Sequence, residues 1–429
     1  MNSCMMMIRT KLANKVLSIK TRLKGSPFFW QSMANYTERV FGLVYSLILA
    51  RVLLPEVFGV FAYGLGIAQL VSILTRWDVG GLVRVDSYYQ NEGFASAWTL
   101  TRLLVLVEVF VIVLVAGSCW YWGVNPQVCA VVLGCGVFTA LDKFSVILRC
   151  DLEGKSTFRS NLTAKLLMAP AAAIVTIPLA LWGFGIWALI ASSWVGVSVN
   201  WFVYRRANKR KLSSDRIGVE MIRKIVRPSF WIWINYMCLV IFSRADKVLL
   251  GRTQSSDDVG YYNRAFNYSP LSFMALGAIA DAPAIVAFRN IESKRARMKL
   301  YIKRASLLTG AGSVFAAMWI LWAETLVPLM FGENWLPAVI YFKLFAFFGV
   351  VQGFYFLTNA LLQGSHHFKA QGVIKLASIA MGALVLCRLG IDTFKVAIVL
   401  QGSMLLAAFA MLIYFALCSK DRICIKPLS

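Results

Sequence analysis

Twelve runs of about twenty apolar residues, each long enough to cross the hydrocarbon core of a bilayer, constrain this chain more than any other feature. No water in that layer can satisfy peptide groups, so such runs have to fold as helices with internally closed hydrogen bonds. The runs are placed at 28–50, 57–76, 98–119, 126–148, 161–181 and 184–204, then at 229–250, 260–288, 300–322, 336–363, 370–390 and 394–418. Composition agrees: 59% of residues are hydrophobic and only 15% charged, with a mean hydropathy of +0.68, whereas soluble domains carry roughly 25% charge. The expected fold class is an all-α integral membrane protein. Pro170 and Pro178 in the fifth run, and Pro270 and Pro283 in the eighth, predict kinks whose freed carbonyls neighbouring helices satisfy.

The net charge of +24 invites a nucleic-acid partner, but the placement of the charges removes that reading. Basic residues gather in alternate connections, with 31 on one set of loops and tails against 4 on the other. By the positive-inside rule the rich set is cytosolic, so both termini are expected inside. The chain then divides into a basic cytosolic tail at 1–24, a six-helix bundle at 25–204, a cytosolic linker at 205–226, a second six-helix bundle at 227–418 and a tail at 419–429. Six spans is an even number, so both halves enter the membrane in the same direction, as parallel repeats around a central cleft. The nine cysteines lack metal-ligand spacing, and neither a metal nor a cofactor is expected.

Internal similarity supports the division. Adding 201 takes Leu49-Ala50-Arg51 to Leu250-Gly251-Arg252, Gly59 to Gly260, Phe61 to Tyr262 and Phe29-Trp30 to Phe230-Trp231. Weak repeats of this kind are characteristic of transporters. Several spans also carry polar stripes. Gln31, Asn35, Arg39, Gly42 and Ser46 share one helix face in the first, and Gly349, Gln352, Asn359 and Gln363 do so in the tenth. The seventh holds Asn235, Ser243, Arg244, Asp246 and Lys247, and the eighth opens with Asn263, Arg264 and Asn267. Glu108, Asp142, Lys143, Lys343 and Lys375 add buried-looking charge. A charge at a span's centre costs about 2.5–3.5 kcal/mol, so these groups are expected to pair or to face a wet cavity. For the neighbours Asp142–Lys143 and Glu38–Arg39, local pairing or snorkelling stands beside a functional reading.

The stretch Asp246-Lys247-Val-Leu-Leu-Gly251, followed by Val259-Gly260-Tyr261-Tyr262, resembles a signature of polysaccharide-biosynthesis flippases. These belong to the multidrug, oligosaccharidyl-lipid and polysaccharide exporter superfamily. Leu49-Ala-Arg51-Val-Leu-Leu-Pro55-Glu56-Val-Phe58-Gly59, Gly183-Phe-Gly185-Ile-Trp187-Ala-Leu189 and Phe331-Gly332-Glu333-Asn-Trp335-Leu-Pro337-Ala338 are similar to three further family motifs, in the family's order. Leu54 stands where the family usually has glycine, and Asp78-Val-Gly80-Gly81-Leu82 departs from its usual DLGL.

The resemblance implies a non-enzymatic, O-antigen-type flippase. It would carry polyprenyl-pyrophosphate-linked oligosaccharides across the bacterial cytoplasmic membrane for O-antigen, capsule or exopolysaccharide assembly. Its expected partners are that substrate, membrane lipid and other polysaccharide-assembly proteins. The candidate pyrophosphate ligands are Arg39, Arg244, Lys247 and Arg264. The candidate sugar ligands are Gln31, Asn35, Asn267, Gln352 and Asn359. Asp246 is an ion-coupling carboxylate or a counter-charge, the latter favoured by its basic neighbours. A cation-coupled multidrug exporter is the alternative within transport, but its cleft calls for acids where these charges lean basic. A membrane glycan-processing enzyme calls for long loops with paired acids or a nucleotide motif, and no GxxxxGK[ST] or HExxH occurs.

The charge split generates a test. Reporter fusions at Asp215 and Lys420 are expected to read as cytosolic, and fusions at Asn125 and Glu333 as external. Asp215 and Asn125 on one side of the membrane would show the span count to be wrong.

Overall fold

The structure is a computed structural model that describes residues 27–77, 79–85, 93–155, 157, 159–213, 219–270 and 282–418. Both expected tails and part of the expected linker lie outside the described residues. The first half contains α1 (Pro27–Val52), α2 (Pro55–Ser72), α3 (Val79–Val85), α4 (Phe94–Tyr121), α5 (Pro126–Gly154), α6 (Arg159–Leu181) and α7 (Ile186–Ala207). The second contains α8 (Val219–Thr253), α9 (Ser256–Tyr268), α10 (Ala282–Arg289), α11 (Lys294–Phe331), α12 (Val339–Leu344), α13 (Phe348–Gly364), α14 (Phe368–Leu389) and α15 (Thr393–Leu417). Short 3-10 turns at Ile73–Thr75 and Glu333–Ala338 complete the described elements.

Among the described residues eight helices are long and apolar enough to cross a membrane: α2 with its 3-10 turn, α4, α5, α6, α7, α11, α14 and α15. A ninth crossing is formed if Glu333–Leu344 and Phe348–Gly364, bent by 51°, act as one broken span. That pair occupies the expected tenth run. The sequence expectation of twelve places the other three on α1, on α8 and on the α9–α10 pair, between which residues 271–281 are not described. Pro170 and Pro178 lie inside α6 without ending it. Helix α8 starts at Val219, eight residues before the expected second bundle. Helix α11, with 38 residues, is about 57 Å long at 1.5 Å per residue. That exceeds the ~30 Å core, and its excess is the basic stretch Lys294-Arg295-Ala-Arg297-Met-Lys299.

Helices α1 and α3–α7 pack chiefly within the first half and α10–α15 within the second, whereas α2 and α9 pack chiefly across the halves. The main bridges run from α2 to α8 and α9, and from α1 to α11. The tightest bridge joins the first turns of α2 and α9. A Cβ added at Gly59 would strike the Ser256 carbonyl, and one added at Gly260 would strike the Pro55 carbonyl. Gly59 and Gly260 differ by 201 positions, as do Pro55 and Ser256, so the contact is reciprocal between related elements. Pro55 sits where its missing N–H costs nothing, and Ser255 caps α9 by accepting from the Asp258 amide at 3.1 Å. From there α2 descends along α8, with the Tyr63 ring against Gly251 and Gly66 beside Val248.

Replacing Gly59 or Gly260 with Val therefore pushes a side chain into backbone that has no rotamer with which to yield. The expected cost is at least the 1–3 kcal/mol of ordinary overpacking, read as a lowered thermal midpoint of the purified protein. Gly117→Ala on α4, where a Cβ meets nothing within 4 Å, serves as control. An unchanged midpoint in both Val variants would show that the halves do not rely on this contact.

Candidate functional site

Arg264 lies at the seam between the halves and is 5% exposed. Its guanidinium carbon is 3.7 Å from the Phe58 ring centre and 5.3 Å from that of Trp335, with Tyr268 at 5.6 Å and Phe331 at 6.0 Å. It donates to Ser46 Oγ and, at 3.4 Å, to the Tyr268 hydroxyl. Its Nε and Nη2 have no partner, and no carboxylate pairs with it among the described residues. Ring faces spread the positive charge but leave those donors unsatisfied, which is costly in a buried site. The box is shared: Ser46 and Phe58 come from the first half, and Trp335 donates through Nε1 to Ala50 O at 2.8 Å.

Lys247 belongs to a different cluster. Its Nζ donates to Asp246 Oδ2 at 2.9 Å and to Ser243 O at 2.9 Å, and lies 3.1 Å from the Phe266 ring centre. Tyr262 also donates to Asp246 Oδ2, at 2.9 Å. Tyr262 and Phe266 lie two positions from Arg264 and Tyr268, about 200° around α9, so Lys247 and Arg264 flank opposite faces of that helix. Arg244 forms no ion pair or hydrogen bond among the described residues, and its carbonyl faces Gly66 of α2.

A third group lines a cavity of about 320 Å³ at the far end of the α2–α8 seam from Gly59. Four cations (Arg76, Arg84, Lys143 and Arg149) line it against one carboxylate, Asp142. Arg76 lies over the Tyr236 ring at 4.8 Å. Trp77 stacks on Trp233 with centroids 5.0 Å apart and planes 9° from parallel, a contact between halves. Lys143 donates to Glu108 and, at 2.6 Å, to Thr75 Oγ1, which itself donates to Glu108 at 2.6 Å. Glu153 takes Arg84 at 2.9 Å and Arg149 at 3.8 Å, and Asp142 Oδ1 has no partner.

Lys143 pairs with Glu108 on α4 rather than with its neighbour Asp142, and Glu38 pairs with Lys165 on α6 at 2.6 Å. Adjacent helical residues point about 100° apart and do not face one another. Gln31, Asn35 and Arg39 fall on α1, and their side chains lie outside the described residues. Asn267 is exposed and bonded to Asn263, and Gln352 is half-buried on α13. Asn359 is buried and accepts from Gln371 Nε2 at 2.5 Å. None of these three joins the Arg264 box. In the sequence Arg76, Arg84 and Arg149 fall among the 31 basic residues of the expected cytosolic loops, and the one signal that points further is Arg76-Trp77 at the end of a span.

The sequence model of a family described as polysaccharide biosynthesis protein matches residues 48–340. The succinoglycan biosynthesis transport protein ExoT of Rhizobium meliloti (strain 1021) is 22% identical over 296 residues, 67% of this chain. The match spans 58% of that relative's length. The fold is shared with solved structures of the MOP superfamily. An inward-facing multidrug resistance MATE family transporter aligns with a TM-score of 0.59 at 13% identity, covering 90% of this chain and 93% of its own. A MOP superfamily transporter from Pyrococcus furiosus, whose reversed binding-pocket polarity is said to suggest a different function, aligns with a TM-score of 0.54 at 15% identity. That alignment covers 91% of this chain and 92% of the other.

The Asp246–Lys247 geometry makes its own prediction. Asp246→Asn leaves a buried ammonium unpaired and is expected to cost about 3–5 kcal/mol, seen as low abundance in the membrane. Adding Lys247→Met is expected to restore most of that abundance, as a double-mutant cycle reports. A stable Asp246→Asn that Lys247→Met leaves unchanged would mean that the carboxylate is not there to balance the lysine.

Proposed function

The chain belongs to the polysaccharide biosynthesis protein family, and from that premise we propose that this multi-pass membrane transporter flips lipid-linked oligosaccharides. Its cargo would be a glycan on a polyprenyl-pyrophosphate carrier, moved across the bacterial cytoplasmic membrane by alternating access. The carrying observation is the 320 Å³ cavity between the halves, whose walls carry four cations, three of them held by Glu108 or Glu153 and Arg76 in no ion pair among the described residues. A pyrophosphate is a multivalent anion that guanidinium forks hold well. The stacked Trp77–Trp233 pair and Tyr236 border the same cavity and offer flat apolar faces to a sugar.

In the expected orientation this cavity opens at the cytosolic end, where such cargo is made, and the Gly59–Gly260 contact closes the outer end. Arg264 is then a second anion site, sealed in its aromatic box while the outer end is shut. Parting the halves there separates Ser46 and Phe58 from Trp335 and frees the guanidinium for the passing pyrophosphate. Asp246 serves as counter-charge to Lys247. Export of cationic drugs is the weaker reading, because a cationic cargo calls for carboxylates in the cavity.

The test uses cells whose only copy is a variant, with surface polysaccharide as the readout. Among the described residues the Arg76 side chain lies over the Tyr236 ring and forms no ion pair, so Arg76→Ala breaks no salt bridge there. Losing one charge-assisted contact, worth about 1.5–3 kcal/mol, is expected to lower export about tenfold or more, with Arg76→Lys retaining part. Arg264→Ala is expected to act similarly. Undiminished export by both alanine variants, at normal abundance, would overturn the anion-cavity reading.

A further inference from the structure

Lys375 is 3% exposed inside the second half, yet it forms no hydrogen bond and no ion pair among the described residues. It lies on the buried face of α14 with Gln371, one turn before it, and Ser378. The Tyr355 ring of α13 is 5.6 Å from its Nζ, and Cys238 of α8 lies within electrostatic reach. The same cluster has acceptors with nothing to accept. Gln371 spends its amide N–H on Asn359 at 2.5 Å, and Asn235 of α8 spends its own on the Trp231 and Phe368 carbonyls at 2.7 and 2.9 Å. Gln371 Oε1, Asn235 Oδ1 and the Tyr355 hydroxyl are buried and unpartnered. The three helices packed together here, α8, α13 and α14, thus each bring one unsatisfied oxygen to the region of the amine.

Nothing in the polysaccharide cargo calls for this arrangement, because Lys375 does not line the cation-rich cavity. Asp246, the carboxylate otherwise available for coupling, is already held by Lys247 and Tyr262. We propose that Lys375 is the proton-binding group that couples transport to a proton gradient. The inference rests on the chain being a transporter but not on the identity of its cargo. In the packing seen here the amine has no carboxylate to balance an ammonium. When the α8–α14 seam opens to water, Lys375 takes a proton from hydronium, and its three N–H groups turn to Gln371 Oε1, Asn235 Oδ1 and Tyr355 OH. This draws α8, α13 and α14 together and biases one conformation. Release of that proton to water on the other side returns the amine to neutral. One proton crosses per cycle, and no other bond is made or broken.

The groups facing Lys375 from each packed helix leave it as the charged member of the cluster. Helix α8 presents Cys238, with the Asp246–Lys247 pair two turns on; α13 presents Tyr355; α15 has no charged residue between Lys395 and its end at Leu417. Lys369 and Arg388 lie near the two ends of α14, and His367 at its start packs on Tyr414.

The test reads conformation in the full-length protein in nanodiscs, without cargo. Spin labels carried by an unnatural amino acid at Trp122 and Ile391 report the separation of the halves by pulsed electron resonance. The wild type is expected to shift its distance distribution between about pH 6 and pH 10, the span over which buried and solvated lysines titrate. Lys375→Met is expected to show the high-pH distribution at every pH, and Lys375→Arg the low-pH one. Should Lys375→Arg fail to insert, Gln371→Met removes an acceptor for the ammonium and is expected to move the wild-type midpoint to lower pH. A wild type without a shift, variants that keep the wild-type shift, or a Gln371→Met midpoint that stays put would each overturn the assignment. If the shift depends on Lys375 while surface polysaccharide is unaffected by deleting the protein, the proton site stands and the flippase reading falls.

Discussion

Everything in this architecture hangs on two helix starts that touch backbone to backbone. Lipid tails are as apolar as leucine, so helices in a bilayer gain little from hiding greasy faces and associate through close packing instead. Gly59 and Gly260 allow that closeness at one end of the seam, where each glycine lies against the carbonyl of the other's partner residue. With that end fixed, α2 is laid along α8, and Ile73 to Trp77 is brought to Trp233 and Tyr236 at the other end. There the side chains are large and charged, backbone contact gives way to the cavity, and the same helix pair is closed at one end and parted by a cavity at the other.

The buried charges follow a pattern that a simple salt-bridge inventory would miss. The buried or half-buried carboxylates are mostly spoken for: Glu108 by Lys143, Asp246 by Lys247, Asp151 by Lys155 and Asn208, and Glu153 by Arg84. What remains is positive. Among the described residues buried Arg264 and Lys375 sit without a carboxylate, beside aromatic rings, and exposed Arg76 lies over the Tyr236 ring. Uncompensated cations at membrane depth are expensive, so they persist where something compensates them for part of a working cycle. In the proposed function the two arginines at the seam meet the anionic cargo. The buried cluster around Lys375 is, in the proposed coupling, the place of the smallest ligand, a proton.

Much of the fold was legible in the sequence because it depends on local quantities. Span length is set by bilayer thickness, so the eight qualifying helices fall on apolar runs visible by inspection. The offset of 201 foretold that Gly59 and Gly260 are equivalent, though not that they meet. The bend of 51° in the expected tenth run carried no clear signal, since both of its arms are apolar.

The site was less legible, for a reason the pairs themselves display. Helical periodicity says which residues share a face, and so the motifs, the family and the surplus of buried cations were set by the sequence alone. It does not say which helix that face meets. Lys143 finds Glu108 across 35 positions, Arg264 finds Ser46 across 218, and Trp335 finds Ala50 across 285. Only the packing of one half against the other decides which cations are neutralised, which stay exposed to a cavity and which, like Lys375, are left alone among oxygens. Those distances are fixed by the sum of many helix contacts and by no single stretch of residues.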